Sequence, residues 1–286
     1  MAVSFDNPVF QARADQGKHA WWRYVLAVVL SLAVQAVLLI VFAIAAVVAG
    51  VPVNTLLAAT KDASQPLWFF GIIGASFVTW LTGIWLGAWT LNKKPARDYL
   101  AGWQWPLFFA GFGLWLVILL ANEGLDYVLQ PKGFALKASL TPAIVAMTVG
   151  ALIVQTFTEE YIFRGFATQG FLHLFKRPLP AAIVSGLVFG TCHIPNGWSQ
   201  ALNATMLGVA LALIAIKTGN MAFGYGLHLV NNLFGSLVFV SSDDIFKGAP
   251  GWFTQSTPSL DVLDLGLAGV VLVVLVLGFG MKTREG

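Results

Sequence analysis

Residues 21–49 read WWRYVLAVVLSLAVQAVLLIVFAIAAVVA, and the only charged side chain in this run, Arg23, stands near its start. A helix needs about 20 apolar residues to cross the hydrocarbon core of a bilayer, and this run exceeds that length. The apolar core of a secretory signal peptide is shorter, about 7–15 residues. The run therefore predicts a first membrane helix that the mature protein retains.

The composition of the whole chain also indicates a membrane protein. The chain has 286 residues, of which 58% are hydrophobic and 10% are charged, whereas soluble domains carry about 25% charged residues. Its net charge of +3 is spread without a block of Lys or Arg, which argues against nucleic-acid binding. The single cysteine, Cys192, excludes an intramolecular disulfide and a cysteine-based zinc cluster.

Apolar windows separated by Gly, Pro and charged residues predict an all-α, polytopic bundle of about eight helices. They cover residues 22–49, 67–91, 105–121, 140–159, 180–194, 200–216, 221–240 and 262–280. The sequence contains no long linker, so we expect one membrane domain over 1–286. Within it, 1–135 holds helices without motifs, 136–240 holds a catalytic helix core, and 241–286 holds an outer loop and the last helix.

The distribution of charge predicts the orientation. An even number of helices places both termini on one side, and a cytoplasmic N-terminus leaves twelve of the 16 basic residues inside. These are Arg13, Lys18, Arg23, Lys93, Lys94, Arg97, Arg164, Lys176, Arg177, Lys217, Lys282 and Arg284. The outer loops then carry Lys61, Lys132, Lys137 and Lys247 with Asp62, Glu123, Asp126, Asp243, Asp244, Asp261 and Asp264. Both termini are therefore expected in the cytoplasm.

Charged residues interrupt the fourth predicted helix. An ionisable side chain within the membrane costs at least about 2.5–3.5 kcal/mol, so each one suggests a functional site. Glu160 and Arg164 are four residues apart and can pair on a helix, whereas Glu159 is turned away by about 100°. We interpret Glu160 and Arg164 as a structural clamp and Glu159 as the free carboxylate. Alternatively, the cluster is a charged helix end at the cytoplasmic interface, which the distance to Lys176 disfavours.

Two further predicted helices carry polar side chains at a helical spacing. Phe189 and His193 share one helix face, and His228 and Asn232 share another. A lone membrane histidine is often only a hydrogen-bonding partner between helices, but stacked polar groups in an apolar run need a common polar neighbour. Asn231 points elsewhere and is interpreted as a hydrogen-bonding neighbour.

These residue types together can hydrolyse a peptide bond. Glu159 can take a proton from water, with His193 orienting that water. His228 and Asn232 can donate hydrogen bonds to the oxyanion of a tetrahedral intermediate. The sequence has no recognisable Ser–His or Ser–Lys arrangement near these residues and no H-E-x-x-H helix, which makes covalent catalysis and that type of zinc site poor explanations.

Three ordered motifs carry a resemblance to a known family: Glu159-Glu160-x-x-x-Arg164, Phe189-x-x-x-His193 and His228-x-x-x-Asn232. They resemble the CAAX-protease and bacteriocin-processing (CPBP, or Abi) family, which includes the CAAX prenyl endopeptidase of the endoplasmic reticulum. The likeness spans residues 155–235. It implies an intramembrane endopeptidase in which Glu159 and His193 activate water and His228 and Asn232 form the oxyanion hole.

The same resemblance implies that Glu160, Arg164 and Phe189 support the catalytic residues. The sequence departs from the family pattern at two positions, because relatives often have a small residue and a proline where this chain has Asn220 and Gly224. The metal-free mechanism requires no cofactor. Asn232 favours this mechanism, because asparagine is a poor zinc ligand.

Several alternatives stay open at this stage. A zinc-dependent version of the protease would use Glu159, His193 and His228 as ligands. An ion-coupled transporter would use the same groups as a relay, although we see no inverted repeats. A non-catalytic bacteriocin-immunity or binding protein would use the fold as a receptor. The expected partners are the lipid bilayer and a peptide or membrane-protein substrate, prenylated or not; the oligomeric state is not readable.

The position of the site along its helix predicts how it opens. His228 lies about 10 Å and Asn232 about 16 Å along the seventh predicted helix from Met221. Because Met221 is on the predicted inner side, we expect a water-filled pocket that opens to the cytoplasm.

Overall fold

The computed structural model describes residues 3–61, 63–100, 102–136, 139–242, 245–255 and 261–281. Of the charges used to predict the orientation, Asp62, Lys137, Asp243, Asp244, Lys282 and Arg284 lie outside the described residues, as do the side chains of Asp261 and Asp264.

The described chain is built almost entirely from helices. The helices are α1 (Pro8–Ala14), α2 (Trp21–Val48), α3 (Val53–Ala59), α4 (Pro66–Thr90), α5 (Arg97–Leu100), α6 (Trp105–Leu129), α7 (Pro142–Glu160), α8 (Thr168–Phe175), α9 (Pro178–Thr191), α10 (Trp198–Thr218), α11 (Ala222–Leu237) and α12 (Asp261–Gly280). A π-helical segment, Tyr161–Ala167, joins α7 to α8. Three short strands are β1 (Phe134–Leu136), β2 (Phe239–Ser241) and β3 (Phe253–Gln255).

The predicted membrane helices are present, as α2, α4, α6, α7, α9, α10, α11 and α12. Within the described residues, five helices are long and apolar enough to cross a membrane: Trp21–Val48, Pro66–Thr90, Trp105–Leu129, Pro142–Phe175 and Trp198–Thr218. The prediction of an all-α, polytopic membrane bundle is therefore confirmed. The protein is an integral membrane protein.

The fourth predicted helix is longer than expected. It continues beyond Glu160 through the π-helical segment and ends at Phe175. Neither Gly165 nor Gly170 stops it, because both stay in helical conformation; the chain turns only at Lys176, which adopts a left-handed conformation with φ of 52°. Glu159 therefore lies well inside a long helix and not at a helix end.

The helices occupy different positions in the bundle. α10 is central, with 56% of its most apolar window buried, whereas the corresponding window of α2 is only 11% buried and faces lipid. α11 packs against α6 and α7, and α4 packs between α2 and α7. Of the helices that carry the motifs, α7 and α11 thus pack against each other and against α4 and α6, and α9 packs on α10 and α8.

Two glycines allow α6 and α11 to approach closely. A Cβ atom on Gly226 would lie 2.2 Å from the carbonyl oxygen of Phe108, and one on Gly111 would lie 2.2 Å from that of Phe223. Any larger side chain at these positions would force the helices apart. The contact fixes α11, and with it His228, against α6.

The two ends of the bundle differ. At one end, α1 packs against α8 and α10, and Lys94 Nζ donates a hydrogen bond to the Arg13 carbonyl oxygen; we call this the N-terminal end. At the other end, β1 pairs antiparallel and β2 pairs parallel with β3; we call this the sheet end.

At the sheet end the sequence prediction was wrong in one respect. The predicted loop began at residue 122, but α6 continues to Leu129. The polar residues Asn122, Glu123 and Asp126 suggested a loop because a lipid-facing helix would exclude them. They lie instead on a helix face that lines a cavity.

Candidate active site

A buried carboxylate joins α7 to α11. Glu160 Oε1 lies 2.8 Å from His228 Nδ1 and 3.2 Å from Arg164 Nη1. The side chains of Glu160 and Arg164 are 0% exposed. The predicted ion pair between Glu160 and Arg164 is therefore present, but Glu160 does more than the predicted clamp, because it also holds the His228 imidazole.

The π-helical segment begins directly after the two glutamates. In its wider turn the Thr168 backbone N–H donates to the Phe163 carbonyl oxygen, five residues earlier, and side-chain donors also reach that oxygen. The Thr168 hydroxyl donates to that oxygen at 2.7 Å and the Ser185 hydroxyl at 2.8 Å. Ser185 is on α9, so these bonds also fix α9 against the segment that carries Arg164.

Phe189 is the aromatic centre of the cluster. The Arg164 guanidinium stands over its ring, 4.3 Å from the centroid. The rings of His193 and His228 meet it edge to face at centroid distances of 4.5 Å and 5.9 Å. A ring face favours a cation, and its bulk excludes water. Phe189 thus contacts Arg164 and both histidines, and its supporting role stays a prediction.

Gly224 contributes by having no side chain. A Cβ atom at this position would lie 3.1 Å from Glu160 Oε2. The departure from the family pattern at Gly224 therefore leaves space for the buried carboxylate. Asn220, the other departure, accepts a hydrogen bond from the Ala222 amide at 2.7 Å and so caps the start of α11.

Glu159 contacts the second ring nitrogen of the same imidazole. Glu159 Oε2 lies 3.5 Å from His228 Nε2, and Glu159 lines a cavity between the helices. His193 lies just beyond the end of α9, and its Nδ1 is 2.9 Å from the Phe189 carbonyl oxygen. The structure thus places Glu159 in direct contact with His228, whereas His193 shares only the cavity with it.

Asn232 is held by a residue that the sequence analysis did not select. Its Nδ2 donates to Gln155 Oε1 at 2.8 Å and approaches the Thr156 hydroxyl at 3.4 Å. Gln155 precedes Glu159 by one helical turn on α7, and this spacing of two polar residues in an apolar helix was the available signal. Asn231, as predicted, is a neighbour: its Oδ1 accepts a hydrogen bond from Trp115 Nε1 at 3.0 Å.

The four proposed catalytic side chains line one cavity of about 850 Å³. It contains Glu159, His193, His228 and Asn232, and towards the sheet end it is lined by Asn122, Glu123, Asp126, Asn196, Ser241 and Gln255. Phe163 and Trp80 line its opposite, deeper part.

The lining of this cavity extends towards the sheet end, where Ser241 and Gln255 belong to it. The N-terminal side of the cluster is filled by buried Arg164, Phe166 and Tyr161. The side of the membrane to which the pocket opens stays a prediction.

The orientation argument also needs one correction. Arg164 was counted among the inner loop charges, but it is buried within the bundle and paired with Glu160. The other described basic residues of that group remain near the N-terminal end, where Lys94, Lys176 and Lys217 bind groups of the first 15 residues.

The zinc alternative was tested on the side-chain geometry. Within the described residues, no three His, Cys, Asp or Glu side chains are arranged to share a metal ion. The side chains of Glu159, His193 and His228 are therefore not arranged around a common metal position in the described structure.

Comparisons with known proteins support the motif assignment. Residues 141–234 match the family described as "Type II CAAX prenyl endopeptidase Rce1-like". Over 290 aligned residues the chain is 26% identical to a Bacillus subtilis (strain 168) protein described as "Uncharacterized protein YyaK", covering 96% of this chain and 97% of the relative. No solved structure gives a significant match. The resemblance inferred from three short motifs is thus confirmed over residues 141–234, the part of this integral membrane protein that is similar to the Rce1-like, CAAX-protease (CPBP) family.

Proposed function

We propose that the chain is an intramembrane endopeptidase that hydrolyses a peptide bond with water activated by Glu159. The observation that carries the proposal is the arrangement around His228, whose two ring nitrogens face Glu160 and Glu159 at 2.8 Å and 3.5 Å inside a membrane-embedded cavity. Such a relay of a carboxylate, an imidazole and a second carboxylate positions a proton at the place where the reaction needs it.

Both ring nitrogens of His228 face carboxylate oxygens, so the ring has an acceptor on either side. Buried charges are tolerated when they are paired, and here Glu159 and Glu160 face Arg164 and His228. When His228 carries both ring protons, the four groups have no net charge. Its Nε2–H then points into the cavity beside Glu159, where an oxyanion can accept it.

The proposed reaction begins when Glu159 accepts a proton from a water molecule. The remaining hydroxide forms a bond to the carbonyl carbon of the substrate, and the carbonyl oxygen becomes an oxyanion. His228 Nε2–H and Asn232 Nδ2–H donate to that oxygen. The C–N bond then breaks as the amine nitrogen receives that proton from Glu159, with His193 assisting, which leaves a carboxylic acid and an amine and restores the Glu159 carboxylate.

Two groups that do not touch the substrate, the Gln155 side chain and the Phe189 carbonyl, position the proposed catalytic residues. Gln155 orients the Asn232 amide through its 2.8 Å hydrogen bond. The Phe189 carbonyl accepts from His193 Nδ1 at 2.9 Å, which leaves Nε2 of His193 as the nitrogen available for water.

The orientation of the protein in the membrane is also part of the proposal. We retain both termini in the cytoplasm, because the bias of Lys and Arg survives the removal of Arg164 from the count. With that orientation, the cavity opens to the outer side, not to the cytoplasm. A reporter fused after Gly286 should be active only in the cytoplasm, and activity only on the outer side would reverse the assignment.

Cleavage of a panel of reporter peptides by purified protein in detergent tests the activity. Glu159→Gln and His193→Ala should reduce hydrolysis to background while the protein stays folded, because each loses a group that activates water. Asp15→Asn is the matched control, since it removes a carboxylate bound to a histidine far from the cavity. Hydrolysis by Glu159→Gln at the wild-type rate, with Glu160→Gln inactive but stable, would show that the two carboxylates have been assigned the wrong way round.

A further inference from the structure

The part of the cavity nearest the sheet end carries acidic groups that the proposed reaction does not use. Trp115, Asn122 and Asp126 are spaced at i, i+7 and i+11 on α6, which places them on one helix face. All three line the cavity, and Glu123 lines it beside them. We call Asn122, Glu123 and Asp126 the acidic rim.

Asp126 is a buried acid, 3% exposed. The side chain of Gln255 from β3 approaches it as a hydrogen-bond donor. No short hydrogen bond forms between them, because among the described residues both Asp126 Oδ1 and Gln255 Nε2 are without a partner at hydrogen-bond distance. An acceptor held in this way against a cavity wall is costly unless a ligand completes its hydrogen bonds.

Near the sheet end, the charged side chains among the described lining residues are the carboxylates of Glu123 and Asp126. The described residues that line it include three carboxylates, Glu123, Asp126 and Glu159, and no Lys or Arg. A cleft of one sign with apolar, low-dielectric walls concentrates ligands of the opposite charge. An acidic or neutral peptide gains nothing from this field.

We infer that the acidic rim is a specificity subsite for a lysine or arginine side chain of the peptide substrate. The inference rests on the proposed protease function and adds the chemical class of the residue that the substrate presents. A basic side chain supplies the donors that Asp126 Oδ1 lacks, and its positive charge pairs with the Asp126 carboxylate.

The helix geometry also predicts where that basic residue stands. Trp115 is bonded to Asn231, so it marks the level of the oxyanion donors. Asn122 lies about 10 Å and Asp126 about 16 Å farther along α6, at about 1.5 Å per residue. An extended peptide covers about 3.3–3.6 Å per residue. The basic residue is therefore expected about three to five residues from the scissile bond.

The test uses the full-length protein in detergent and one cleavable reporter peptide. A single lysine, or a glutamine as its neutral counterpart, is placed at each of the second to seventh positions on either side of the scissile bond. For wild type, we expect kcat/KM to be about tenfold higher for lysine than for glutamine at the three-to-five-residue distance, which corresponds to one close ion pair in a partly screened site. Asp126→Asn should abolish this preference through KM with little change in kcat.

Two further variants sharpen the result. Glu123→Gln should reduce the preference less than Asp126→Asn, and it supplies a second reading if Asp126→Asn does not fold. Asp98→Asn, at the N-terminal end, is the matched carboxylate control and should keep the full preference. Equal rates of wild type for lysine and glutamine peptides at every position would overturn the inference, whatever the variants do.

A binding measurement separates this inference from the proposed function. Fluorescence anisotropy of labelled lysine and glutamine peptides is followed with Glu159→Gln protein, with and without Asp126→Asn. Tighter binding of lysine peptides that needs Asp126, together with wild type that cleaves nothing, would support the subsite and contradict the protease. Cleavage by wild type without any lysine preference would support the protease and contradict the subsite.

Discussion

Two clusters in this protein are built from the same three kinds of group, a carboxylate that bridges a histidine and a basic side chain. In the core, Glu160 Oε1 lies 2.8 Å from His228 Nδ1 and 3.2 Å from Arg164 Nη1. At the N-terminal end, Asp15 Oδ1 lies 2.7 Å from His173 Nδ1 and 2.5 Å from Lys176 Nζ. The bonding pattern is the same in both places.

Burial is what distinguishes the two clusters. The side chains of Glu160 and Arg164 are 0% exposed, whereas those of Asp15, His173 and Lys176 are 39%, 32% and 55% exposed. Water can replace each partner at the surface, so such a pair contributes little to stability. In the core, removal of one partner leaves an unpaired charge that water cannot reach. The same chemistry is therefore replaceable in one place and required in the other.

The largest expected effect comes from breaking the core cluster. Arg164→Leu or Glu160→Gln should lower the free energy of unfolding by about 3–5 kcal/mol, because each leaves a buried charge without its partner. Unfolding in detergent, followed by circular dichroism or by titration with a denaturing detergent, measures the change. A loss of less than about 1 kcal/mol, as for a surface pair, would contradict the comparison.

The next effect is on catalysis, at the edge of the core cluster. Asn232→Ala removes one proposed oxyanion donor and should reduce kcat by about 10²–10³, leaving residual activity. The matched control is Asn231→Ala, because the neighbouring amide bonds Trp115 and has no proposed role in the reaction. An equal loss of kcat in both variants would show that Asn232 acts through packing.

The surface cluster should respond weakly. Asp15→Asn is expected to change the free energy of unfolding by at most about 1 kcal/mol, and the difference should shrink as salt is added. Thermal melting at low and high salt measures it. A salt-independent loss of several kcal/mol would show that Asp15 behaves like Glu160, and would remove the contrast between the clusters.

The smallest effect is a dependence on pH. Partial burial raises the pKa of Asp15, but the hydrogen bonds from Lys176 and His173 outweigh it and hold the pKa below its ordinary value of 3.8. A carboxylate with a lowered pKa stabilises the fold above the unfolded pKa, and the contribution is lost as the pH falls through the folded pKa. The difference in melting temperature between wild type and Asp15→Asn should therefore persist at pH 7, begin to shrink as the pH falls below about 4, and vanish once the pH is below the lowered pKa of Asp15. A difference that grows on acidification would contradict this.

The membrane helices were predictable because their signal is local. Each helix in lipid satisfies its own backbone hydrogen bonds, so a long apolar run such as 21–49 is sufficient to predict one. The pair Glu160 and Arg164 was also predictable, since both lie on one helix four residues apart. The family resemblance depended on three motifs that are each short and local, and the match over residues 141–234 confirms it.

Other features depended on contacts between distant parts of the chain. The bond from Glu160 to His228 spans 68 residues, and the bond from Asn232 to Gln155 spans 77. No spacing rule within one helix predicts either of them. For the same reason Asn122, Glu123 and Asp126 were assigned to a loop, since the sequence does not show that a helix face is turned toward a polar cavity.

The sequence by itself determined that this protein is a membrane-embedded helical bundle and which residues are expensive to bury there, because both follow from composition and from spacing along single helices. Only the tertiary structure decided that Glu160 holds His228, that Glu159 meets the other side of the same ring, and that the cavity runs to the sheet end. These depend on how α6, α7, α9 and α11 pack. That packing is set by close contacts such as those at Gly111, Gly226 and Gly224, which only the assembled helices create.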